Sequence, residues 1–302
     1  MKEFVRLESI TQVHNYLGMP KPLHPLVSVI PIDERMLQAD FGNMTFVLDL
    51  FQISLKSGLE GQLTYGRNTY DFEEGTMVFM KPGQTMKIES TESTQGESGW
   101  TLLIHPDFLR KSALGKDMEG HSFFSYHSSE ALHLSDEEKK TVNDLIEKIK
   151  REYSSNLDRH SQGVIISAIE LLLSYCTRFY DRQFFTRTNH NQDHVAKFDD
   201  MLQGYFGRQL HLTQGLPTVT MCGEELGMSG AYLSDLLKQE TGMSAQEHIH
   251  RHVVDKAKTK LLNSSVPVSQ IAYDLGFEYP QHFSRLFKSK TGLTPVQFRK
   301  VN

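Results

Sequence analysis

Cysteine is scarce in this sequence, and the two cysteines stand far apart. Cys176 and Cys222 are the only ones in 302 residues, and each lies in an apolar stretch that predicts a helix. This spacing gives neither the cysteine framework of a small secreted protein nor a zinc site of paired thiolates. We expect reduced thiols that pack as small core residues in a reducing compartment.

A long apolar run is also missing. The N-terminus, Met1 to Arg6, has charges where a signal peptide needs apolar residues. The most apolar stretch, Val164 to Cys176, is short and includes Glu170, so we expect that it does not span a bilayer. The sequence therefore predicts a cytoplasmic protein with no membrane partner.

Familiar enzyme motifs are absent as well. The sequence contains no phosphate-binding glycine loop and no nucleophile elbow. A metal enzyme on a barrel needs histidines and a carboxylate clustered on strands, but the turns at 61–64 and 82–85 contain no histidine. The later histidines fall mostly in predicted loops: His105, His121, His127 and His133. We therefore predict no catalytic residues, no metal, no cofactor and no enzyme.

What is present in the N-terminal part is a series of short strands. Phe46–Ile53 is rich in strand formers, and Trp100–His105 predicts another strand. Glycines separate the runs as turns, at Gly58, Gly61, Gly66, Gly75 and Pro82-Gly83. This spacing predicts a small β-barrel or jelly roll over residues 1–134.

Two amphipathic helices are predicted over residues 135–185. Ser135 and Glu138 have the spacing of a capping box. The second helix, from about Ser161 to Tyr180, carries a wide apolar stripe of Ile165, Ile169, Leu172, Cys176 and Phe179. Such a stripe can pack on the barrel alone or can also form a dimer contact, and both interpretations stay open. The polar segment 186–197 is interpreted as an interdomain linker.

The charge is distributed unevenly along the chain. The net charge is −5, but residues 217–302 carry ten Lys or Arg against eight Asp or Glu. The acidity therefore belongs to the N-terminal part, and the C-terminal part is mildly basic.

The C-terminal part contains an internal repeat. The first half of the match, at an offset of 49, pairs Val219, Cys222, Gly223 and Leu226 with Val268, Ile271, Ala272 and Leu275. After one inserted residue the offset is 50, and Leu233-Ser234, Leu236-Leu237-Lys238 and Thr241-Gly242 pair with Phe283-Ser284, Leu286-Phe287-Lys288 and Thr291-Gly292. The preserved order, with a single insertion, indicates two copies of one structural unit.

Each copy predicts a helix-turn-helix. A short apolar helix contains one small residue for close approach and ends near a glycine that supports a tight turn, namely Gly223 and Gly227 or Ala272 and Gly276. A second helix then begins at a capping serine, Ser229, or at Pro280. Ser244 to Leu262 predicts one connecting helix of ~28 Å, close to the ~34 Å between successive major grooves.

These motifs resemble the AraC/XylS family of bacterial transcription regulators over about residues 198–300. The first copy contributes Gly227-Met228-Ser229, Tyr232-Leu233-Ser234, Lys238 and Thr241-Gly242. The second contributes Ile271-Ala272, Leu275-Gly276-Phe277, Phe283 to Lys288, Thr291 to Pro295 and Phe298-Arg299. The resemblance implies an α+β multidomain chain with a cupin-like N-terminal sensor, helices that often form a dimer, and an all-α DNA-binding domain of seven helices over 198–302.

The resemblance also implies which side chains face DNA. The base-facing residues would be Ala231, Ser234 and Asp235 in the first copy and Gln281, His282 and Arg285 in the second. Lys238 and Lys288 end equivalent turns and are expected to contact phosphate or solvent. Many members carry arginine where Asp235 stands. A carboxylate cannot pair with guanine or phosphate, although it can accept a hydrogen bond from cytosine. We therefore expect the first copy to be the weaker reader.

The predicted partners follow from this assignment. They are double-stranded promoter or operator DNA, RNA polymerase if the protein is an activator, a second copy of the chain, and a small-molecule effector. Three interpretations of the N-terminal domain stay open: a metal enzyme, a ligand sensor without chemistry, or a domain that only dimerises or binds a partner protein.

Overall fold

The computed structural model describes residues 4–32, 45–57, 63–65, 68–70, 75–87, 98–155, 158–186 and 188–301. The chain forms two compact units, Met1–Gln183 and Phe184–Asn302. The first unit combines β-sheets with helices, and the second is helical. The predicted α+β chain with a C-terminal helical domain is confirmed at this level.

Ten strands are described in the first unit. They are β1 Phe4–Leu7, β2 Val27–Ile32, β3 Thr45–Leu48, β4 Phe51–Ser57, β5 Leu63–Tyr65, β6 Asn68–Tyr70, β7 Thr76–Met80, β8 Thr85–Lys87, β9 Ser98–Ile104 and β10 Leu132–His133. The larger sheet has the order β10-β7-β4-β9-β2, a second has β1-β3-β8, and β5 pairs with β6. The β1–β3 pair is parallel, and the other pairs are antiparallel.

The run Phe46–Ile53, predicted as continuous strand, is divided between two sheets. β3 ends at Leu48 and β4 begins at Phe51. Between them, the Asp49 N–H donates to the Leu7 carbonyl at 3.0 Å, and its carboxylate pairs with Arg6 at 2.8 Å. These contacts hold a bend that passes the chain from one sheet to the other.

The two larger sheets share a hydrophobic core. Leu7, Phe46 and Leu48 come from the three-stranded sheet, and Ile30 and Leu103 come from the five-stranded sheet. Among the described strands these sheets stay open, with β2 and β10 at the edges of the larger one. The closed cupin-like barrel expected from the sequence is therefore not found in this part of the chain, because its strands form separate sheets.

The helices of the first unit follow the predicted signals. The described helices are Ile10–Tyr16, Pro106–Leu109, Ala113–Asp117, Asp136–Ser154 and Ser161–Thr186, the last of which runs past the unit boundary, with short 3₁₀ turns at Met118–Gly120, Ser122–Ser125 and Ser128–Glu130. The predicted capping box at Ser135 and Glu138 is confirmed. The two residues stabilise the helix start because each side chain accepts a backbone N–H of the other.

The apolar stripe of Ser161–Thr186 lies inside the protomer. Its members are 0–5% exposed: Ile165, Ile169, Leu172, Cys176 and Phe179. Core packing of this stripe is confirmed, and its direct use as a dimer surface is wrong, because a partner cannot reach side chains that the chain itself covers. The exposed apolar residues of the helix include Val164 and Leu171.

The same helix is longer than its sequence pattern indicated. With 26 residues, Ser161–Thr186 is long and apolar enough to cross a bilayer, by length and composition alone. The shorter run 164–176 alone is expected to be too short to span a bilayer. That expectation does not hold for the length of the whole helix. A buried core helix passes the same test, and the buried stripe gives this helix a reason to be apolar.

The predicted linker 186–197 is largely helical. The second unit contains the helices Thr188–Gly207, His211–Gln214, Val219–Glu225, Gly230–Thr241, Ala245–Asn263, Val268–Asp274, Pro280–Thr291 and Pro295–Val301. Thr188–Gly207, the entry helix, buries Asn191, Phe198 and Leu202. The segment predicted as an interdomain linker is therefore helical from Thr188, and its polar residues form the first turns of a helix whose apolar face begins later.

Candidate nucleic-acid interface

The first sequence copy folds as a helix-turn-helix. Its scaffold helix is Val219–Glu225, and its recognition helix is Gly230–Thr241. Gly227 has φ 75°, a left-handed conformation that favours glycine, and forms the turn between them. Ser229 accepts a hydrogen bond from the Tyr232 N–H at 3.1 Å, so the predicted cap is confirmed.

Close approach explains why the first copy has glycine inside its scaffold helix. A Cβ on Gly223 would lie 2.7 Å from the Met228 carbonyl oxygen and 2.8 Å from the Gly230 nitrogen. Both neighbours are backbone atoms, which cannot move aside as a flexible side chain can. Glycine at 223 therefore lets the recognition helix start directly against the scaffold helix.

The second copy has the same construction. Its scaffold helix is Val268–Asp274 and its recognition helix is Pro280–Thr291, with Pro280 in the first turn as predicted. Phe283 and Phe287 are fully buried. They pack with the end of the connecting helix, Ala245–Asn263, in a core that includes Val254, Ala257, Leu261, Ile271, Ala272 and Leu275.

The connecting helix is held at both ends. Ser244 and Glu247 form a capping box at its start. At its end, the Arg299 guanidinium donates to the carbonyl oxygens of Leu261 at 3.2 Å and Val266 at 2.7 Å. Its 19 residues correspond to about 28 Å of rigid spacer between the two copies. Lys260 is exposed near the same end, 3.8 Å from the Asp274 carboxylate.

The two turn glycines provide a matched stability test. Gly227 and Gly276 both have positive φ, 75° and 89°, but only at Gly276 would a Cβ meet backbone, 2.6 Å from the His211 carbonyl oxygen. Gly227→Ala should cost about 1 kcal/mol for the left-handed conformation alone. Gly276→Ala should cost about 2 kcal/mol, because His211 has to move as well. Urea unfolding of both variants measures the difference, and equal losses would show that the contact with His211 is relaxed at little cost.

The candidate DNA-contacting residues of the second copy are all at the surface. Gln281, His282, Arg285 and Lys288 are exposed. Gln281 and Arg285 are one helical turn apart, so they lie on one face of the recognition helix. The structure thus brings together an amide and a guanidinium, two groups that pair in bidentate fashion with adenine and guanine edges.

The corresponding residues of the first copy are less accessible. Ala231, Ser234 and Asp235 are half-buried, and Lys238 is exposed. The first recognition helix also packs against the entry helix. The structure therefore presents fewer hydrogen-bonding groups on the first recognition helix than on the second.

The segment before the entry helix also contacts the first recognition helix. The Phe184 and Tyr232 rings lie 5.0 Å apart. The buried Asn191 amide donates to the Phe184 carbonyl at 2.9 Å and to the Glu240 carboxylate at 3.0 Å. This packing was not predicted from the sequence, although the spacing of seven residues between Asn191 and Phe198 places both on the same helix face.

Positive charge gathers where the connecting helix begins. The Ser244 backbone N–H and hydroxyl donate to Glu247, and these bonds, together with nearby Lys290 and Lys238, hold the pKa of the Glu247 carboxyl below its ordinary value. Lys238 and Lys290 lie near the ends of the two recognition helices. The helix start is therefore close to cations from both copies.

Cationic side chains also line an open cleft of about 260 Å³ in the second unit. Lys260 pairs with Asp274, and the Lys256 ammonium lies 5.6 Å from the centre of the Phe206 ring. Both lysines already have a partner within the chain, so the cleft itself does not identify a ligand.

Both cysteines are buried in the core of the protein. Burial raises the pKa of both thiols, that of Cys222 to about 11, so both are protonated at neutral pH and the expected core role is confirmed. Within the described ranges, no three His, Cys, Asp or Glu side chains are grouped closely enough to hold a metal ion.

The C-terminal segment is similar to known proteins. Residues 222–301 match a family model described as a helix-turn-helix domain. The chain is 40% identical over 77 residues to the uncharacterized transcriptional regulatory protein YesN of Bacillus subtilis, covering 25% of this chain and 21% of that protein. It is 33% identical over 79 residues to the transcriptional activator RhaR of Escherichia coli K12, covering 26% and 28%. The chain thus spans about a quarter of the length of the curated relatives it matches.

Solved structures match the same segment. The C-terminal domain of AraT, a response regulator from Geobacillus stearothermophilus, is 30% identical, and the match covers 35% of this chain and 85% of that domain with a TM-score of 0.31. The C-terminal domain of the response regulator yesN from Fusobacterium nucleatum is 29% identical, with coverages of 33% and 96% and a TM-score of 0.30. Scores this low leave the sequence match as the basis of the assignment.

Proposed function

We propose that this chain binds specific DNA sequences and thereby regulates transcription. Its C-terminal segment, residues 222–301, is a helix-turn-helix domain of the AraC/XylS type. The observation that carries the proposal is the exposed row on the second recognition helix, with Gln281, Arg285 and Lys288. Side chains of these types bind bases and phosphates, and an isolated helical pair has no need to expose them together.

The two copies divide the task of binding. Gln281 and Arg285 read bases, with His282 beside them, and Lys288 contacts phosphate. In the first copy, Ala231, Ser234 and Asp235 face the major groove and form few hydrogen bonds with base edges. Lys238 contacts phosphate. The connecting helix sets a separation near that of successive major grooves, so both recognition helices bind one side of the duplex. Specificity then rests mainly on the second copy.

In this proposal the first unit has the role of a sensor. Residues 1–134 form a cupin-like sensor for a small-molecule effector, residues 135–185 form a helical pair that supports a homodimer, and residues 198–302 bind DNA. The separate β-sheet unit before the helix-turn-helix segment supports this division of roles. The protein acts in the cytoplasm on promoter or operator DNA, without enzyme activity, and contacts RNA polymerase where it activates.

A second proposal for the first unit is a domain that only dimerises or binds a partner protein. The exposed Val164 and Leu171 favour it, since they give one helix an apolar outer side. An effector raises the melting temperature of the chain by mass action, whereas a pure dimerisation domain responds only to protein concentration. Thermal unfolding with small-molecule libraries and at several protein concentrations separates the two.

The DNA-binding role is tested with the second unit alone. A fragment of residues 184–302 should fold and prefer the native promoter over random DNA, because it keeps Phe184, Asn191 and the whole entry helix. A fragment that starts at 198 cuts that helix and should be less stable by about 1–3 kcal/mol. Circular dichroism and competition binding measure both. A folded 184–302 fragment without sequence preference would contradict the proposed function.

A further inference from the structure

The second recognition helix begins at a residue that does not cap it. Tyr279 is the N-cap, and its side chain accepts no hydrogen bond from the helix. At the matching position of the first copy, the Ser229 hydroxyl caps its helix. Serine stabilises a helix start and tyrosine does not, so Tyr279 is locally unfavourable. Residues that break a local rule in this way are typical of functional positions.

The Tyr279 ring lies at the surface and not in the core. It is 47% exposed and contacts the His282 ring, with centroids 5.5 Å apart at an interplanar angle of 61°. His282 is itself exposed, next to Gln281 in the first turn of the helix. The two rings therefore form an aromatic surface at the N-terminal end of the second recognition helix, the end that approaches base edges in helix-turn-helix proteins.

The hydroxyl of Tyr279 already has a partner. It hydrogen-bonds to the Glu278 carboxylate, and this contact raises the pKa of Tyr279. A carboxylate beside the ring repels phosphate, so the DNA backbone is a poor partner here. The group that remains for contact is the apolar ring.

We infer that Tyr279, held against His282, contacts the methyl group of a thymine next to the base pair that Gln281 reads, an inference that rests on the proposed function. Thymine presents its methyl group in the major groove, where apolar side chains distinguish it from the other bases. Tyr279 thereby extends the sequence read by the second recognition helix by one base pair.

The test removes single methyl groups from DNA. The probe is the duplex that the full wild-type chain enriches from a random-sequence library, with each thymine replaced in turn by uracil. Wild type should lose about fourfold in affinity at one position, the effect of burying one methyl group. Tyr279→Ser should lose the same amount on the thymine duplex and show no further loss with uracil. Tyr279→Phe should behave as wild type, and so should Tyr273→Ser, which removes a similarly exposed tyrosine from the scaffold helix.

A thermal measurement separates this role from a structural one. Because serine restores a cap, Tyr279→Ser should raise the melting temperature by about 2–4 °C while it weakens DNA binding. A variant that melts lower, that keeps wild-type affinity, or that weakens random DNA equally overturns the inference, as does a wild-type chain indifferent to every uracil. If the library yields no preferred sequence at all, the proposed function fails with it; if Arg285→Ala alone changes the preference, only the thymine contact fails.

Discussion

Leu172→Glu is expected to unfold the first unit. Leu172 has no exposed surface in the middle of the buried stripe of Ser161–Thr186. A carboxylate at this position has to be buried without a partner or become protonated, and either costs about 4 kcal/mol or more. A loss of that size is a large part of the total stability of a domain, about 5–15 kcal/mol. Urea unfolding followed by circular dichroism measures it.

The neighbouring residue provides the control. Leu171 is 46% exposed on the outer side of the same helix, so Leu171→Glu should change the free energy of unfolding by no more than about 0.5 kcal/mol. Similar losses for the two variants would contradict the burial of the stripe. Light scattering on Leu171→Glu also tests the proposed homodimer, since a dimer through this helix has to use its exposed side.

The helical half of the fold could be predicted because its sequence contains two copies of one motif. The repeat places Leu233 against Phe283 and Gly227 against Gly276, and each pair has the same role in the structure. Positions that keep the same residue type in both copies are the ones that the structural unit requires. Local signals then fix the helix starts, as Ser229 and Ser244 show.

The sheet half was harder to predict, because register depends on distant partners. The sequence pattern predicts β3 and β4 as one strand. The bend between them depends on contacts with residues far away in sequence, such as those of Asp49 with Leu7 and Arg6. Closure of a barrel is likewise a property of the strand order and not of any one strand. Alternation and turns predict strands without predicting which strands pair.

The exposure of the candidate site residues could be predicted better for the second copy than for the first. Helical spacing alone places Gln281 and Arg285 on one face, and both are exposed. The half-burial of Ser234 and Asp235 could not be predicted from helical spacing, because burial depends on how the helix packs against the rest of its unit. The residues that share one exposed helix face are therefore easier to predict than the packing that buries their counterparts.

Arg285→Ala should weaken binding to the preferred site by about 1–3 kcal/mol, roughly 5- to 150-fold in Kd. The guanidinium is exposed on the same face as Gln281, where it can donate two hydrogen bonds to one guanine. Loss of these bonds should also relax the preference at a single base pair. Competition binding against duplexes with each base pair changed in turn measures both effects.

Lys288→Ala is the matched control, because it removes one exposed cation from the next turn of the same helix. A phosphate contact carries no sequence information, so this variant should weaken preferred and random DNA by the same factor. It should also lower the slope of log K against log salt by about 1, since one fewer counterion is released. Arg285→Ala combines a salt effect with a change of preference, and only the second identifies base readout. If Arg285→Ala weakens preferred and random DNA equally, then Arg285 binds backbone and the second recognition helix does not read sequence through it.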